Sequence, residues 1–299
     1  MIDYIYLGLY KFFGFALRIL PDKVIIGLMK GISSLAYIIG KKHNLIINRN
    51  LDLAFKNTLS QKEKNIIGKS AYMNLLDTVF GIIRRDRISR ESVIKNISFE
   101  GSDIIQKAIE SEKEIIFVTG HLGNWELISQ ALAIKFDLTL VGVGRKLDSD
   151  LMDGVLKNNR ERFNVEMVYK KGAMKGCIKA LKNKKAVGIL IDQSLPIAQG
   201  IEINFFGNKA THTTLASTLS RRYQVDLIPV FISTNDYIDY HATIYNPIPY
   251  IKTTNQEDDI LKMTQAQADV MQMVIEKNPK EWFWQHKRWK VFLPEIYRK

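Results

Sequence analysis

The segment Ile115–Glu126, IIFVTGHLGNWE, decides the fold that the sequence predicts. It opens with an uninterrupted apolar run, which is typical of a strand buried on both faces of a parallel sheet. The run stops at a Thr-Gly pair before His121, and a Gly-Asn pair then turns the chain into a helix predicted from Trp125 to Ile134. In an open parallel sheet, reactive groups gather beyond the carboxyl ends of the strands. His121 is therefore the first candidate for a functional residue.

The same alternation of short apolar runs and helical segments continues after residue 95. It predicts an α/β fold with a largely parallel mixed sheet flanked by helices. One more strand, Tyr237–Tyr245, is expected to pair antiparallel at an edge, and a long helix is predicted for Gln256–Lys277. The other predicted strands are Ile115–Val118, Leu138–Val143, Glu166–Tyr169, Ala186–Ile191 and Leu227–Ile232.

Residues 1–43 are predicted to form a membrane-associated helical extension. The segments Tyr4–Leu20 and Lys23–Lys42 are strongly apolar, and in each a pair of cations seven residues apart marks one helical face. Neither contains the ~18 uninterrupted apolar residues typical of a spanning helix, so amphipathic helices lying in the membrane interface are favoured. A single tilted span over Tyr4–Leu20 and two helices packed on the protein's own core are the alternatives.

Residues 44–299 are predicted to form one domain, with a helical lead-in to about residue 95. The spacing of Ser60 and Glu63 indicates a capping box at a helix start. Near the other end of the chain, WFWQHKRW is expected to place Trp282, Trp284 and Trp289 over the core, with Lys287 and Arg288 facing water. Anchoring of these aromatic residues in a membrane interface is the alternative.

Composition narrows the class of protein and of partner. The 299 residues are 46% hydrophobic, and 43 Lys and Arg residues against 31 Asp and Glu residues give a formal charge of +12. This surplus favours an anionic partner: nucleic acid, a phospholipid surface or an acidic protein. Because no recognition motif for nucleic acid is present, we expect no nucleic-acid partner. The single cysteine excludes an internal disulfide framework and fits a reducing compartment.

The chemistry predicted for the opening segment is general base catalysis. If His121 precedes the helix, its imidazole can fold back over the first turn and meet the carboxylate of Glu126, which would orient the ring. A structural histidine and a helix-dipole glutamate are the alternative interpretation. A metal site lacks the pattern of ligands that it needs, and a nucleophile elbow is absent, so we expect no metal and no covalent nucleophile.

The sequence also resembles a known family. The motif GHLGNWE is similar to the first motif of the glycerolipid acyltransferase superfamily, in the branch that adds secondary lauroyl or myristoyl chains to lipid A. The resemblance covers most of the chain. The further segments that carry it are VGVGRKLDSDLMDGVLKNNRERFN, ILIDQSLPIAQGIEINFFGNKATHT, DLIPVF and EWFWQHKRWK.

The resemblance implies an O-acyltransferase with no cofactor. The apolar-basic pattern before residue 43 and the surplus of cations predict an inner-membrane protein with its catalytic domain on the cytoplasmic face. A His121/Glu126 dyad would remove a proton from a hydroxyl of a lipid A precursor, and the oxygen would attack an acyl thioester on acyl carrier protein or CoA. It places Arg145, Asp192, Gln193 and Gly207 among the substrate-binding residues. Docking of the acidic carrier is expected on Arg84, Arg85, Arg87 and Arg90, or on Lys182, Lys184 and Lys185.

Three other functions stay open at the level of sequence. The same dyad acting on water would make the protein a thioester or lipid hydrolase. The acceptor can instead be another glycolipid or a phospholipid. The third is a basic, non-enzymatic module for membrane or nucleic acid.

Overall fold

The computed structural model describes residues 2–298, which form a central sheet covered by helices on both faces. The helices are α1 (Ile2–Ile19), α2 (Asp22–Ile39), α3 (Lys41–Ala54), α4 (Gln61–Arg85), α5 (Arg90–Ile94), α6 (Ser102–Glu110), α7 (Trp125–Lys135), α8 (Asp150–Arg160), α9 (Ala173–Lys182), α10 (Leu215–Tyr223) and α11 (Gln256–Lys277). The strands are β1 (Ile97–Glu100), β2 (Ile116–Thr119), β3 (Leu140–Gly144), β4 (Val165–Tyr169), β5 (Ala186–Leu190), β6 (Ile201–Phe205), β7 (Asn208–His212), β8 (Leu227–Thr234) and β9 (Tyr240–Ile244).

The main sheet has seven strands in the order β1-β9-β8-β2-β5-β3-β4. The five strands from β8 to β4 are mutually parallel, and β9 runs antiparallel to β8. This confirms the predicted α/β fold with a largely parallel mixed sheet. The order matters for the site, because β5 inserts between β2 and β3 and so brings distant parts of the sequence together at one edge.

The predicted edge strand lies one position further in than expected. β9 is antiparallel to β8 as predicted, but β1 pairs with β9 in parallel and forms the edge of the sheet. β1 escapes prediction because it has only four residues and no continuous apolar run. The β6–β7 hairpin was also not predicted. Its turn has positive φ angles at Phe206 and Gly207, 55° and 73°, as tight two-residue hairpins require.

The N-terminal helices pack on α4 through one face and leave the other face open. Leu17, Ile25 and Met29 are buried against Met73 of α4. The outer faces of α1 and α2 carry large exposed apolar side chains: Tyr4, Ile5, Tyr6, Leu9, Phe12, Phe13, Phe15, Ile19, Val24, Leu28, Ile32, Leu35, Ile38 and Ile39. These helices therefore combine core packing on one side with an uncovered apolar surface on the other.

By length and hydropathy, α4 qualifies as a membrane-spanning helix, and α2 and α3 qualify together although they are bent by 90° at their junction. The helix α4 contacts α1, α2, α3, α7 and α8. A buried core helix of a soluble protein meets the same criteria of length and hydropathy. The capping box at its start is confirmed, with Ser60 N–H donating to Glu63 at 2.7 Å.

Two cations expected at the surface are buried. Arg288 is fully buried and donates to the carbonyl of Thr211, whereas the three neighbouring tryptophans cover the core as predicted. Arg85 is only 5% exposed, while its neighbour Arg84 remains at the surface. Successive residues on a helix point about 100° apart, so the last turn of α4 directs one arginine to solvent and the other inward.

Candidate active site at the carboxyl ends of the central strands

His121 follows the end of β2 and is held by Asp192, which follows the end of the neighbouring strand β5. The imidazole Nδ1 lies 2.7 Å from Asp192 Oδ1, and the backbone N–H of His121 donates to Oδ2 at 2.9 Å. The side chains are 13% and 4% exposed. An ionised carboxylate accepts hydrogen bonds only, so Nδ1 carries the proton and Nε2 is left as the basic nitrogen.

A third residue completes this arrangement from the C-terminal part of the chain. Trp282 Nε1 donates to Asp192 Oδ2 at 2.8 Å. Its segment also forms a β-bridge with the histidine loop at Leu122, and Phe283 N–H donates to the carbonyl of His121 at 3.0 Å. The loop that carries His121 is thus fixed by contacts from both the strand β5 side and the C-terminal side.

The electrostatics of the pair favour the charged form of both groups. Burial opposes protonation of the ring, but the charge and hydrogen bond of Asp192 outweigh it and raise the pKa of His121 above its ordinary value. Burial likewise opposes ionisation of Asp192, yet His121 and the three donors hold the pKa of this carboxyl well below its usual range. An imidazole with a raised pKa is a stronger base once it is neutral.

The predicted contact between His121 and Glu126 is not formed. Among the described residues, the imidazole makes its hydrogen bonds to Asp192 and Gln193, and Glu126 pairs with Arg160 at the end of α8. The pairing is bidentate: Arg160 Nε donates to Glu126 Oε2 at 2.8 Å, and a second nitrogen donates to Oε1. Glu126 lies in the first turn of α7 and pairs with α8, so the carboxylate that follows the neighbouring strand β5 reaches the ring instead.

A cavity of about 570 Å³ opens beside the imidazole and runs inward between α7 and the sheet. His121, Glu126, Arg160 and Gln193 line its polar part. Its inner part is apolar and is lined by side chains from α7, β2, β3 and β8: Phe117, Ile128, Leu132, Leu140 and Val230. The volume lies within the range of small-molecule sites, and an apolar interior beside a few polar groups is typical of them.

Two glycines form the floor of this cavity. Gly142 of β3 and Gly188 of β5 are paired across the sheet, and both line the cavity. A Cβ atom at Gly188 would lie 3.3 Å from Leu140 Cδ2, and one at Gly142 would lie 3.2 Å from Met167 Sδ. Glycine at both positions therefore keeps open a passage that any side chain would narrow.

The structure brings together most, but not all, of the residues singled out from the sequence. Gln193 Nε2 lies 3.2 Å from His121 Nε2, and Arg145 lines the cavity mouth with an 84% exposed side chain. Gly207 lies elsewhere, in the β6–β7 turn, where it lines a different hollow with Arg49.

Sequence reasoning missed Arg160 and the contact of Trp282 with Asp192. Arg160 lies inside one of the quoted family segments, but nothing in its spacing indicates a partner. Both contacts depend on how α8 and the C-terminal segment pack, which local patterns do not report. Among the residues that the structure describes, no group of three or more His, Cys, Asp or Glu side chains is placed to hold a metal ion.

Comparison with known proteins identifies the family of this chain. The family model described as bacterial lipid A biosynthesis acyltransferase matches residues 1–291. A protein of Escherichia coli (strain K12) named lipid A biosynthesis lauroyltransferase is 24% identical over 276 residues, which cover 91% of this chain and 87% of that protein. The match confirms the resemblance seen in the sequence motifs. The chain therefore belongs to the bacterial lipid A biosynthesis acyltransferase family, and it is an acyltransferase.

Proposed function

We propose that this enzyme moves a fatty acyl chain from a thioester to a hydroxyl of a lipid A precursor, with His121 as the general base. The observation that carries the proposal is the anchored imidazole. Nδ1 is tied to Asp192, and Nε2 faces a cavity whose interior is apolar. The name of the Escherichia coli relative supports a lauroyl chain as the first donor to test.

In the proposed reaction, His121 Nε2 takes the proton of the acceptor hydroxyl while the oxygen attacks the thioester carbonyl carbon. A tetrahedral intermediate forms with the charge on the former carbonyl oxygen. Its collapse breaks the C–S bond, and the imidazolium returns the proton to the leaving sulfur. Asp192 supports the transient positive charge on the ring and keeps the proton on Nδ1 throughout.

The developing negative charge requires donors, and those of the histidine loop are already engaged. The N–H groups of His121, Leu122 and Gly123 donate to Asp192, to the carbonyl of Gly120 and to the carbonyl of Glu281. In the part of the chain that the structure describes, no side chain caps the first turn of α7. We therefore assign charge stabilisation to the free N–H groups of this turn and to Arg160 on the cavity wall.

Glu126 keeps a role in this proposal, although it does not touch the imidazole. It lies on the cavity wall, its charge acts with that of Asp192 to raise the pKa of His121, and it holds Arg160 in place through the bidentate pair. Gln193 and Arg145 are assigned to the acceptor, because one reaches Nε2 and the other stands at the cavity mouth.

The cavity mouth also suggests where an acidic carrier protein docks. Arg85, part of the surface expected from the sequence, is buried and cannot contribute. The loops after β3 and β4 carry exposed cations instead: Arg145 and Lys170 line the cavity, and Lys146 and Lys171 follow them in the chain. An acidic carrier bound there would deliver its thioester directly to the cavity.

The uncovered apolar faces of α1 and α2 support the proposed location. Apolar and aromatic side chains exposed beside lysines fit the interface of an anionic membrane. We assign the enzyme to the inner membrane with its catalytic part on the cytoplasmic face.

The test is an assay with acyl carrier protein thioester in the presence and absence of a lipid A precursor. Acylated lipid is the expected product, and His121→Ala is expected to lower its formation by roughly 10²–10⁴, the usual contribution of a positioned base. A melting temperature measured on the same sample controls for unfolding. Release of free fatty acid at the same rate with and without acceptor would identify a hydrolase instead.

A further inference from the structure

Arg85 is a buried cation whose side chain has no partner among residues 2–298. Arg85 is 5% exposed. Its Nε atom is sealed from solvent and has no hydrogen-bond partner among the described residues. Within residues 2–298, its guanidinium donates no hydrogen bond and forms no ion pair. Buried guanidinium groups are normally paired, because their desolvation is costly. Arg85 is therefore an unusual feature that the acyl transfer reaction does not explain.

The two carboxylates whose charge acts on Arg85 are committed to other partners. Asp77 accepts from Tyr240 at 2.7 Å and from Asn124 at 3.0 Å. Glu126 is paired with Arg160. Both act on Arg85 only through their charge, without direct contact. The four N–H donors on the terminal nitrogens of the guanidinium therefore remain available to a ligand, whereas Nε is sealed from solvent.

Arg85 lines a second cavity, of about 340 Å³, between α2, the end of α4 and β1. Arg84 and Lys95 also line it, and Ile25, Met29, Phe80 and Ile88 supply an apolar side. An adjoining groove shares Ile26 and Tyr237 with this cavity and is bordered by two more lysines of α2, Lys23 and Lys30. The two hollows together form what we call the α2–α4 cleft.

Cations outnumber carboxylates along the α2–α4 cleft. Its five cations, Lys23, Lys30, Arg84, Arg85 and Lys95, face three carboxylates. Of these, Asp22 is paired with Arg84 at 2.6 Å, and Asp236 accepts from the backbone N–H groups of Ile238 and Asp239. The remaining positive charge is concentrated on Arg85 at the bottom and on the lysines at the rim.

We propose that the α2–α4 cleft binds the phosphate group of an anionic phospholipid, with Arg85 as its main ligand. A phosphate offers several acceptor oxygens to the planar fork of an arginine, and Lys95 completes the charge from the rim. The apolar wall accommodates the start of the acyl chains. The exposed apolar faces of α1 and α2 place this opening at a lipid surface. The proposal does not depend on the acyl transfer reaction, and its test uses binding alone.

The experiment is native mass spectrometry of the full chain in a neutral detergent, with phosphatidylglycerol or phosphatidylcholine added. We expect one tightly retained phosphatidylglycerol and no comparable retention of phosphatidylcholine. Lys95→Gln should weaken retention about fivefold, as the loss of one cation near a lipid head group predicts. Arg85→Gln should weaken it at least about tenfold, because charge-assisted hydrogen bonds are lost.

Lys42→Gln is the matched control, since Lys42 is an exposed lysine just after α2 that does not line the cleft. It should leave retention unchanged. If Arg85→Gln does not fold, retention of phosphatidylglycerol is compared between Lys95→Gln and Lys42→Gln, and weaker retention in Lys95→Gln alone supports the proposal.

Three results would overturn the proposal. The first is equal retention of the two phospholipids, and the second is equal loss in Lys42→Gln and Lys95→Gln. The third is displacement of phosphatidylglycerol by inorganic phosphate or by a phosphorylated lipid A precursor, which would assign the cleft to free phosphate or to the acceptor.

Discussion

The replacement Asp192→Asn tests how the imidazole is oriented, because it keeps the shape of the side chain and changes one oxygen to a donor. Asp192 Oδ2 accepts two N–H groups, from His121 and Trp282, whereas Oδ1 meets the imidazole alone. Two donors should hold the single amide oxygen of Asn, so its NH₂ group would face Nδ1. The ring must then accept at Nδ1 and carry its proton on Nε2, where a base has to be unprotonated.

The expected loss follows from that change of tautomer. Removal of a correctly oriented base lowers kcat/KM by roughly 10²–10⁴, which corresponds to about 2.7–5.4 kcal/mol of transition-state stabilisation. Stability should change little, since the hydrogen bonds from the backbone and from Trp282 are retained. The melting temperature of the variant is therefore measured together with its kcat/KM for acyl transfer.

The pH profile gives a second readout that a purely structural role would not change. Asp192 raises the pKa of His121, and only the neutral imidazole acts as a base, so the wild-type rate should rise as pH increases through that raised pKa. Without the carboxylate charge the pKa falls, and the acid limb of kcat/KM moves to lower pH. Glu126→Gln leaves the Asp192 contact intact and should shift that limb less. A folded Asp192→Asn enzyme with near-normal turnover and an unmoved acid limb would refute the reasoning.

Three further predictions concern the cavity, the membrane and the carrier. Gly188→Ala narrows the cavity floor. Each methylene of the acyl chain that no longer fits should reduce transition-state stabilisation by about 0.8 kcal/mol, which lowers kcat/KM about fourfold. The assay compares kcat/KM for acyl donors of increasing chain length, and an equal loss at all lengths would contradict the prediction. Deletion of residues 1–40 should move the protein out of the membrane fraction, and a full-length chain that fractionates as soluble without lipid or detergent would exclude the proposed location. Lys170→Gln should raise KM for the acyl carrier protein donor by roughly two- to fivefold at low salt and leave KM for acyl-CoA unchanged. A raised KM for acyl-CoA with an unchanged KM for the acyl carrier protein donor would place the docking surface elsewhere.

The sequence predicts the fold well where apolar runs are long and poorly where they are short. The five parallel strands were all predicted, because most of their residues are apolar or β-branched, and the helix Gln256–Lys277 was predicted with the bounds that the structure has. The strand β1 and the hairpin β6–β7 were missed, since β1 and β6 are short and contain no continuous apolar run, and β7 is largely polar. Their strand character depends on partners that are distant in the sequence or on a turn with unusual φ angles.

At the candidate site, the sequence predicted which residues take part better than it predicted which of them contact each other. His121, Asp192, Gln193 and Arg145 were named from the sequence, and all four line the cavity or contact a residue that does. The assignment of Glu126 as the partner of His121 was wrong in its geometry, because it assumed that the nearest carboxylate in the sequence is the nearest in space. The actual partner is 71 residues away.

That pairing follows from the order and register of two strands. Thr119 of β2 is the register partner of Leu190 of β5, and both line the cavity. His121 and Asp192 each come two residues later, so they leave the sheet side by side at the same edge. Side chains alternate between faces with a period of two, which points both toward the face that Thr119 and Leu190 occupy. Once β5 is placed beside β2, the histidine meets Asp192 before it can reach Glu126.

The C-terminal segment makes this pair dependent on the completed fold. Asp192 is fixed by Trp282 as well as by His121, and the segment around Trp282 also holds the histidine loop through its backbone. Three parts of the chain, from β2, β5 and the region after α11, must therefore be in place before Nε2 is oriented toward the cavity. A base whose tautomer is set by such distant contacts is available only in the folded enzyme, where the cavity that receives the acyl chain has formed as well.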